Sequence, residues 1–264
     1  MTDGQTLFLK LGGSLITDKG KAESALPALI LTLLNDLKRY LVQNPDQKIL
    51  LGHGSGSFGH HAAAKHNTRA GVYSPAEWRG FRQVWESARK LNQIVLDLGK
   101  QAGLELISFP PSAGLLSKDG EVQEWNLTPI KRALDNGLIP VVYGDVVFDQ
   151  VLGGTIFSTE ELFAHLAAAI KPQRILLAGK EAAVYADFPQ NQRPITHIPR
   201  SAALASFLQA SQNEDVTGGM RSKVAQMQAV CQANPGVSVE IFTASQPGEL
   251  FEALCGRHTG TIIA

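Results

Sequence analysis

The 264-residue chain predicts an α/β protein with a mainly parallel sheet covered by helices on both faces. Three observations predict it. Short apolar runs suited to strands recur along the chain, stretches with apolar residues three and four apart separate them, and glycine clusters mark the passage from several runs to the next helix.

The run "TLFLKL" ends in Gly12 and Gly13, and "ALPALILTLLNDLKRYLVQN" after it carries helical spacing. "KILLGH" is the next strand and leads through a glycine loop to a helix over "HHAAAKH". A long helical stretch runs from Ser74 to about Gly103, followed by the strand "LELISF", a loop, and the helix "TPIKRALDNG", stopped by Gly137. "LIPVVYGDVVFD" reads as one strand, "GGTIFS" as another, "TEELFAHLAAAIK" as a helix started by Ser158 or Thr159, and "RILLAG" as a buried strand. The stretch "EAAVYADFPQNQRPITHIP" is irregular. A helix near 201–210, the loop "NEDVTGGM", a helix from Arg221, the strand "VSVEIFTA", the helix "PGELFEALC" and a final "GTIIA" complete the chain. No repeat or linker divides it, so the halves are expected to be lobes of one continuous sheet.

Composition narrows the function. Lys plus Arg and Asp plus Glu each number 24, so no global field favours nucleic acid or an anionic membrane, and any phosphate binding is local. Cys231 and Cys255 have no metal-type spacing and suit a reducing compartment. The N-terminus lacks a signal-peptide pattern, and no apolar run reaches the roughly 20 residues of a membrane span, so a soluble cytoplasmic protein is expected.

"LLGHGSGSFGHH" places Gly54, Gly56 and Gly59 in the GxGxxG spacing of a dinucleotide site. Such a site needs a strand closed by an acidic residue about 20 residues later. The segment there, "PAEWRGFRQVWESARK", is helical, so the context of the fingerprint fails. A glycine and serine turn between strand and helix is either a tight turn or a cradle that brings backbone amides to a phosphate. "KLGGS" (Lys10 to Ser14) and "DVTGGMRSK" (Asp215 to Lys223) are further glycine turns, each with a lysine nearby, and "YGDVVFD" puts Gly144 and Asp145 just past a buried strand. Three such turns point to a ligand with several phosphates, and no GxxxxGK[ST] motif is present to hold it.

In this order, "KLGGSLITDK", "GHGSGSFGHH", "YGDVVFD" and "DVTGGMRSK" resemble the amino acid kinase superfamily, and the GSGSFGH block resembles its isopentenyl phosphate kinase branch. The resemblance implies a three-layer αβα sandwich, the amino acid kinase fold, with an acceptor-binding lobe over about 1–150 and a nucleotide-binding lobe over about 151–264. It implies transfer of the ATP γ-phosphoryl group to isopentenyl phosphate, with Mg²⁺ bridging the ATP phosphates, in a homodimer. Two alternatives stay open: a fosfomycin-kinase-like enzyme of another phosphonate or phosphate acceptor, and a nucleotide-binding regulator that has lost transfer.

Position by position, the resemblance assigns Lys10, Gly12, Gly13 and Ser14 to the ATP phosphates and Lys19 to the transferring phosphoryl group. It assigns Ser55 and Gly56 to the meeting of acceptor and nucleotide, His60 and Gly144 to the acceptor, and Gly218, Gly219 and Lys223 to the nucleotide. Asp145 is either a turn former or an active-site residue organising the lysines. A metal cluster of His53, His60 and His61 lacks a nearby Cys or carboxylate. Trp78, Phe81, Val84 and Trp85 lie on the helical stretch that flanks the acceptor's hydrocarbon tail in this family, and core packing is their plainer reading. Two segments depart from the family pattern. "STEE" (Ser158 to Glu161) stands where many relatives read serine, glycine and two aspartates, and "GKEAAVY" puts Lys180 where they carry an aspartate near the nucleotide base.

Overall fold

The computed structural model describes residues 5–18, 20–188, 190–203, 219–257 and 260–264. Its strands are β1 (Thr6–Leu11), β2 (Lys48–His53), β3 (Leu106–Ser108), β4 (Leu115–Lys118), β5 (Glu121–Trp125), β6 (Ile139–Tyr143), β7 (Asp145–Asp149), β8 (Gly153–Phe157), β9 (Arg174–Gly179), β10 (Val184–Tyr185), β11 (Pro194–Ile195), β12 (His197–Ile198), β13 (Ser238–Thr243) and β14 (Thr261–Ile263). The helices are α1 (Gly13–Ile16), α2 (Pro27–Gln43), α3 (Gly56–His66), α4 (Pro75–Gln101), α5 (Thr128–Asp135), α6 (Thr159–Ile170), α7 (Gly219–Ala233) and α8 (Glu249–Leu254).

The main sheet has eight strands in the order β12-β14-β13-β9-β1-β2-β6-β3. From β13 to β3 every neighbouring pair is parallel, and β14 joins β13 antiparallel. Strand alternation sorts its side chains onto two cores. Leu7, Leu9 and Leu11 pack with α2, α4 and α8, whereas Phe8 packs with Phe163 and Leu166 of α6 and Met227 of α7. Helices therefore cover both faces, as the sequence predicts.

The long helices begin where their caps dictate. Ser74 and Glu77 form a capping box at the start of α4, and Ser158 and Glu161 form another at α6, each satisfying amides that a helix start leaves unpaired.

Four predicted boundaries change. "LIPVVYGDVVFD" is two strands in different sheets, because the chain leaves the main sheet at Gly144 and β7 joins a four-stranded sheet, β5-β4-β7-β8. The predicted loop after "LELISF" contains the β4-β5 hairpin, whose turn residues Asp119 (φ 52°) and Gly120 (φ 77°) supply the positive φ that a two-residue hairpin turn needs. The glycine loop after β2 is itself the first turn of α3, and short strands interrupt the irregular stretch after β9. The helix predicted near 201–210 falls almost wholly outside the described residues.

Asp149 ties the second sheet together. Its carboxylate accepts hydrogen bonds from the Ser117 hydroxyl (2.7 Å) and from the amides of Asp119, Gly120, Val151 and Leu152 (2.8–3.0 Å). Burial opposes its charge, but these donors outweigh burial and hold the carboxyl well below the ordinary range. The folded state thus binds this proton less readily than the unfolded chain, so the contribution is complete above the unfolded value of about 3.9 and is lost as pH falls below it. Asp149→Asn is expected to lower the urea midpoint at pH 7 and to make the acid loss of stability shallower, as followed by circular dichroism across pH 2–7. An unchanged acid limb would show that Asp149 is not a source of it.

Candidate active site

Two of the predicted glycine turns, at Gly12–Gly13 and Gly54–Gly56, meet Gly144 at the carboxyl ends of adjacent parallel strands, while residues 215–218 of the third lie outside the described residues. Each turn is tied to its neighbour: the Gly12 amide donates to Ala178 O (2.8 Å), Gly54 to Leu11 O (3.0 Å) and Gly144 to His53 O (3.2 Å). The chain proceeds from β1 to β2 on one side and reaches β9 on the other, so a switch in strand order lies at β1, where open α/β sheets bind ligands.

The glycines allow two turns to touch. A Cβ on Gly13 would lie 2.4 Å from the Gly56 nitrogen, and one on Gly54 would lie 2.7 Å from the Gly13 nitrogen. Gly56 also has φ +50°, a conformation that costs glycine little. The buried Thr17 hydroxyl fastens the turns by donating to Gly13 O (2.7 Å) and accepting from the Ser57 amide (2.9 Å). Ser14 is half-buried in the single turn of α1. Ser55 stands at the start of α3 beside Gly144, where a Cβ would lie 3.8 Å from the Ser55 nitrogen. The structure thus brings together Gly12, Gly13, Ser14, Ser55, Gly56 and Gly144.

Lys10 lies on the α6 face of β1, pairs in register with Gly52, and is buried. Gly52 has no side chain because α6 presses on it: a Cβ there would be 2.6 Å from Thr159 and 2.7 Å from Phe163. That approach places Glu160 in a buried ion pair with Lys10. Burial raises the Glu160 pKa, but the charges of Lys10 and then Lys223 outweigh it and hold the carboxyl below its usual value. Glu160 is thus paired with Lys10, at the end of β1, and feels the charge of Lys223, in α7.

Both readings of Asp145, turn former and organiser of the lysines, stay open, since Lys19 lies outside the described residues. The buried Asp145 accepts from Ser112 Oγ (2.7 Å) and from its neighbour's amide, Val146 N (2.8 Å). Burial pushes its carboxyl up to about 7, and Lys10 pairs with Glu160. Glu160 is a site residue that the sequence does not mark, since "STEE" shows there only as a departure from the family pattern and a helix-start glutamate.

His53 is fully buried, with its ring 3.1 Å from Asn92 Oδ1 and stacked on Tyr143 at 5.2 Å. Burial pushes its pKa down to about 4, so it is a neutral packing residue, and no group of three His, Cys, Asp or Glu side chains among the described residues is placed to hold a metal. Lys180 is exposed just beyond β9, and Gly219 opens α7. Lys19 and Gly218 lie outside the described residues, as does the side chain of His60, whose backbone belongs to α3. Phe81 and Val84 are core residues packed with Val72 and Val146, with Trp85 against them, as the plainer reading expects. Trp78 differs: it is 37% exposed and lies against Phe81 (5.1 Å) and the exposed Phe148 of β7 (5.9 Å), an aromatic face whose β7 member the sequence pattern did not reveal.

Glycine turns, paired lysines and a strand-order switch define an α/β protein built to hold phosphates, and comparison with known proteins agrees. The amino acid kinase family matches residues 5–242, and the chain belongs to that family. Its relatives include the isopentenyl phosphate kinases of Haloferax volcanii (32% identical, covering 97% of this chain and 98% of that one) and Methanothermobacter thermautotrophicus (30% identical, 95% and 96%). A crystal structure of an isopentenyl phosphate kinase superposes with a TM-score of 0.84 at 27% identity, covering 98% of this chain and all of the other.

Removing one member of the buried pair leaves an uncompensated charge. Glu160→Gln is expected to cost about 3 kcal/mol of unfolding free energy and, by loosening two lysines, about 100-fold in turnover. Chemical denaturation and steady-state kinetics check both. Parent-like turnover in the folded variant would remove Glu160 from the site.

Proposed function

We propose that the chain transfers the γ-phosphoryl group of ATP to isopentenyl phosphate, giving isopentenyl diphosphate and ADP. The observation that carries this reading is the packing of the two glycine turns, Gly13 against Gly56, at the end of the strand whose Lys10 is paired with Glu160. A donor turn and an acceptor turn in contact suit the meeting of two phosphorylated molecules. The relatives named above support the choice of acceptor.

In the proposed reaction, a terminal oxygen of the acceptor's phosphate attacks the γ-phosphorus as the bond from that phosphorus to the bridging oxygen of ADP breaks. The attacking oxygen is already ionised near neutral pH, so positioning and charge neutralisation dominate over base catalysis. Lys10, Gly12, Gly13 and Ser14 serve the ATP phosphates, with Gly56, Lys180, Gly218, Gly219 and Lys223 on the nucleotide side. Lys19 steadies the transferring group, while Ser55, His60 and Gly144 take the acceptor. Mg²⁺, carried on the ATP phosphates, supplies further neutralisation. The acceptor lobe covers about 1–150 and the nucleotide lobe about 151–264. The apolar cluster that begins at Val146, just past Gly144 and Asp145, offers a hydrocarbon tail an adjacent surface. A cytoplasmic homodimer follows from the family resemblance. Among the described residues no helix is long and apolar enough to cross a membrane.

Purified protein with ATP and Mg²⁺ is expected to release ADP in the presence of isopentenyl phosphate, and the diphosphate should appear by ³¹P NMR. Faster release with fosfomycin than with isopentenyl phosphate or dimethylallyl phosphate would transfer the assignment to a phosphonate acceptor. Release with none of them, despite ATP binding, would favour a regulator. His60→Ala is expected to lose most acceptor-dependent turnover, about 100-fold or more, while ATP still protects the protein against thermal unfolding. Unchanged turnover would take His60 out of the acceptor site.

A further inference from the structure

Glu160 meets Lys10 from the first turn of α6, so whatever holds that turn sets the ion pair. Its inner side is fastened by Thr159, whose buried hydroxyl donates to His53 O (2.7 Å) at the end of β2. Its outer side is fastened by a residue that follows α3. Consecutive helical residues point about 100° apart. Glu160 is buried, while Glu161 next to it reaches the flank of the helix, where Arg69 pairs with it.

The pairing is a fork. Arg69 Nη2 donates to Glu161 Oε1 (2.5 Å), and Nη1 donates to Glu161 Oε2 (3.1 Å) and to Ile156 O of β8 (3.1 Å). The same Glu161 carboxylate accepts from the Ser158 amide (2.6 Å) in the capping box, so the arginine holds the group that fixes where α6 begins. Arg69 is itself held. It lies in a single turn, Thr68–Ala70, that opens with Asn67 at φ 49°; its carbonyl accepts from Thr155 Oγ1 (3.0 Å) of β8, and Thr68 beside it is buried. The preceding helix, α3, starts at Gly56 in the glycine turn packed on Gly13. A fixed arginine thus joins the far end of the helix that begins at that turn to the helix start that carries the counter-charge of Lys10.

Such a pair does little for the fold. The Arg69 side chain is 58% exposed, and ion pairs in that setting contribute little to folding free energy. What planar, two-pronged pairing adds is geometry, which a lysine cannot supply.

We propose that Arg69 is a positioning residue for phosphoryl transfer: by its forked pairing with Glu161 it sets the first turn of α6, and through Glu160 the place of Lys10. The proposal rests on the reading of Lys10 as a lysine that serves the ATP phosphates. Arg69 touches no substrate in this scheme.

Steady-state kinetics with ATP and isopentenyl phosphate, beside urea denaturation, test it. Arg69→Ala is expected to lower kcat about tenfold, with KM for isopentenyl phosphate changed less than about twofold and the urea midpoint close to the parent's. Arg69→Lys, which keeps the charge without the fork, should recover only part of the loss. In a Glu160→Gln background, Arg69→Ala should change kcat by less than about twofold, because residues acting through one another are not additive. Parent-like kcat in Arg69→Ala, a loss confined to KM for isopentenyl phosphate, or an equal loss in both backgrounds overturns the proposal and leaves Lys10 in its role. Parent-like kcat in Lys10→Met overturns the reading of Lys10, and the proposal with it. No turnover of isopentenyl phosphate by the parent protein overturns the reaction assigned above, and again the proposal with it. If Arg69→Ala does not fold, Glu161→Gln, which keeps the capping box and loses the ion pair, takes its place, and parent-like kcat there overturns the proposal equally.

Discussion

The buried ion pair between Lys10 and Glu160 is the constraint on which the rest of the site depends. Two charges leave water at a cost that only close pairing and further partners offset. The fold meets that requirement from three directions. Strand alternation turns Lys10 toward α6, Gly52 lets α6 approach the sheet, and the Ser158 capping box fixes where α6 begins and so where Glu160 points. Lys223 adds a second positive charge from α7. Two cations acting on one carboxylate keep it ionised despite its burial.

The second constraint is steric. Gly13, Gly54 and Gly56 are required by the approach of one turn to the other, which any Cβ at these positions would block. The two glycine turns thus form one packed unit, with Thr17 hydrogen-bonded to both. Anything that moves Thr17 therefore moves a segment joined to both turns.

Much of this was legible in the sequence. The alternation of apolar runs and helical stretches specifies a parallel sheet, and the glycine clusters mark the strand ends where the site lies. Other features were not. Gly144 looks like the middle of one strand because both flanks are apolar, yet β6 and β7 belong to different sheets, and only the tertiary structure shows the chain turning from one to the other. The β4-β5 hairpin carries a sequence signal in Asp119–Gly120, but its flanking strands are short and largely polar, so they read as loop. Glu160 was hidden for a different reason: a helix-start glutamate is an ordinary capping residue until the strand facing it is known to carry a buried lysine. Phe148 escaped because its strand is buried at the positions around it.

Transfer between two phosphorylated molecules sets a condition that the site's carboxylates meet in different ways. Each partner arrives with several negative charges, so a bare carboxylate among them would repel both. Glu160 is neutralised by lysines. Asp145, beside the acceptor turn, has its charged form disfavoured by burial, so that near neutral pH it carries only part of a charge and is steadied by Ser112. Glu23 keeps its full charge, but it spends that charge on Ser87 and Lys90 of α4. The chain as a whole carries equal numbers of acidic and basic residues. With no global excess of positive charge, room for two anions depends on where the acidic groups are placed and how each is paired or neutralised.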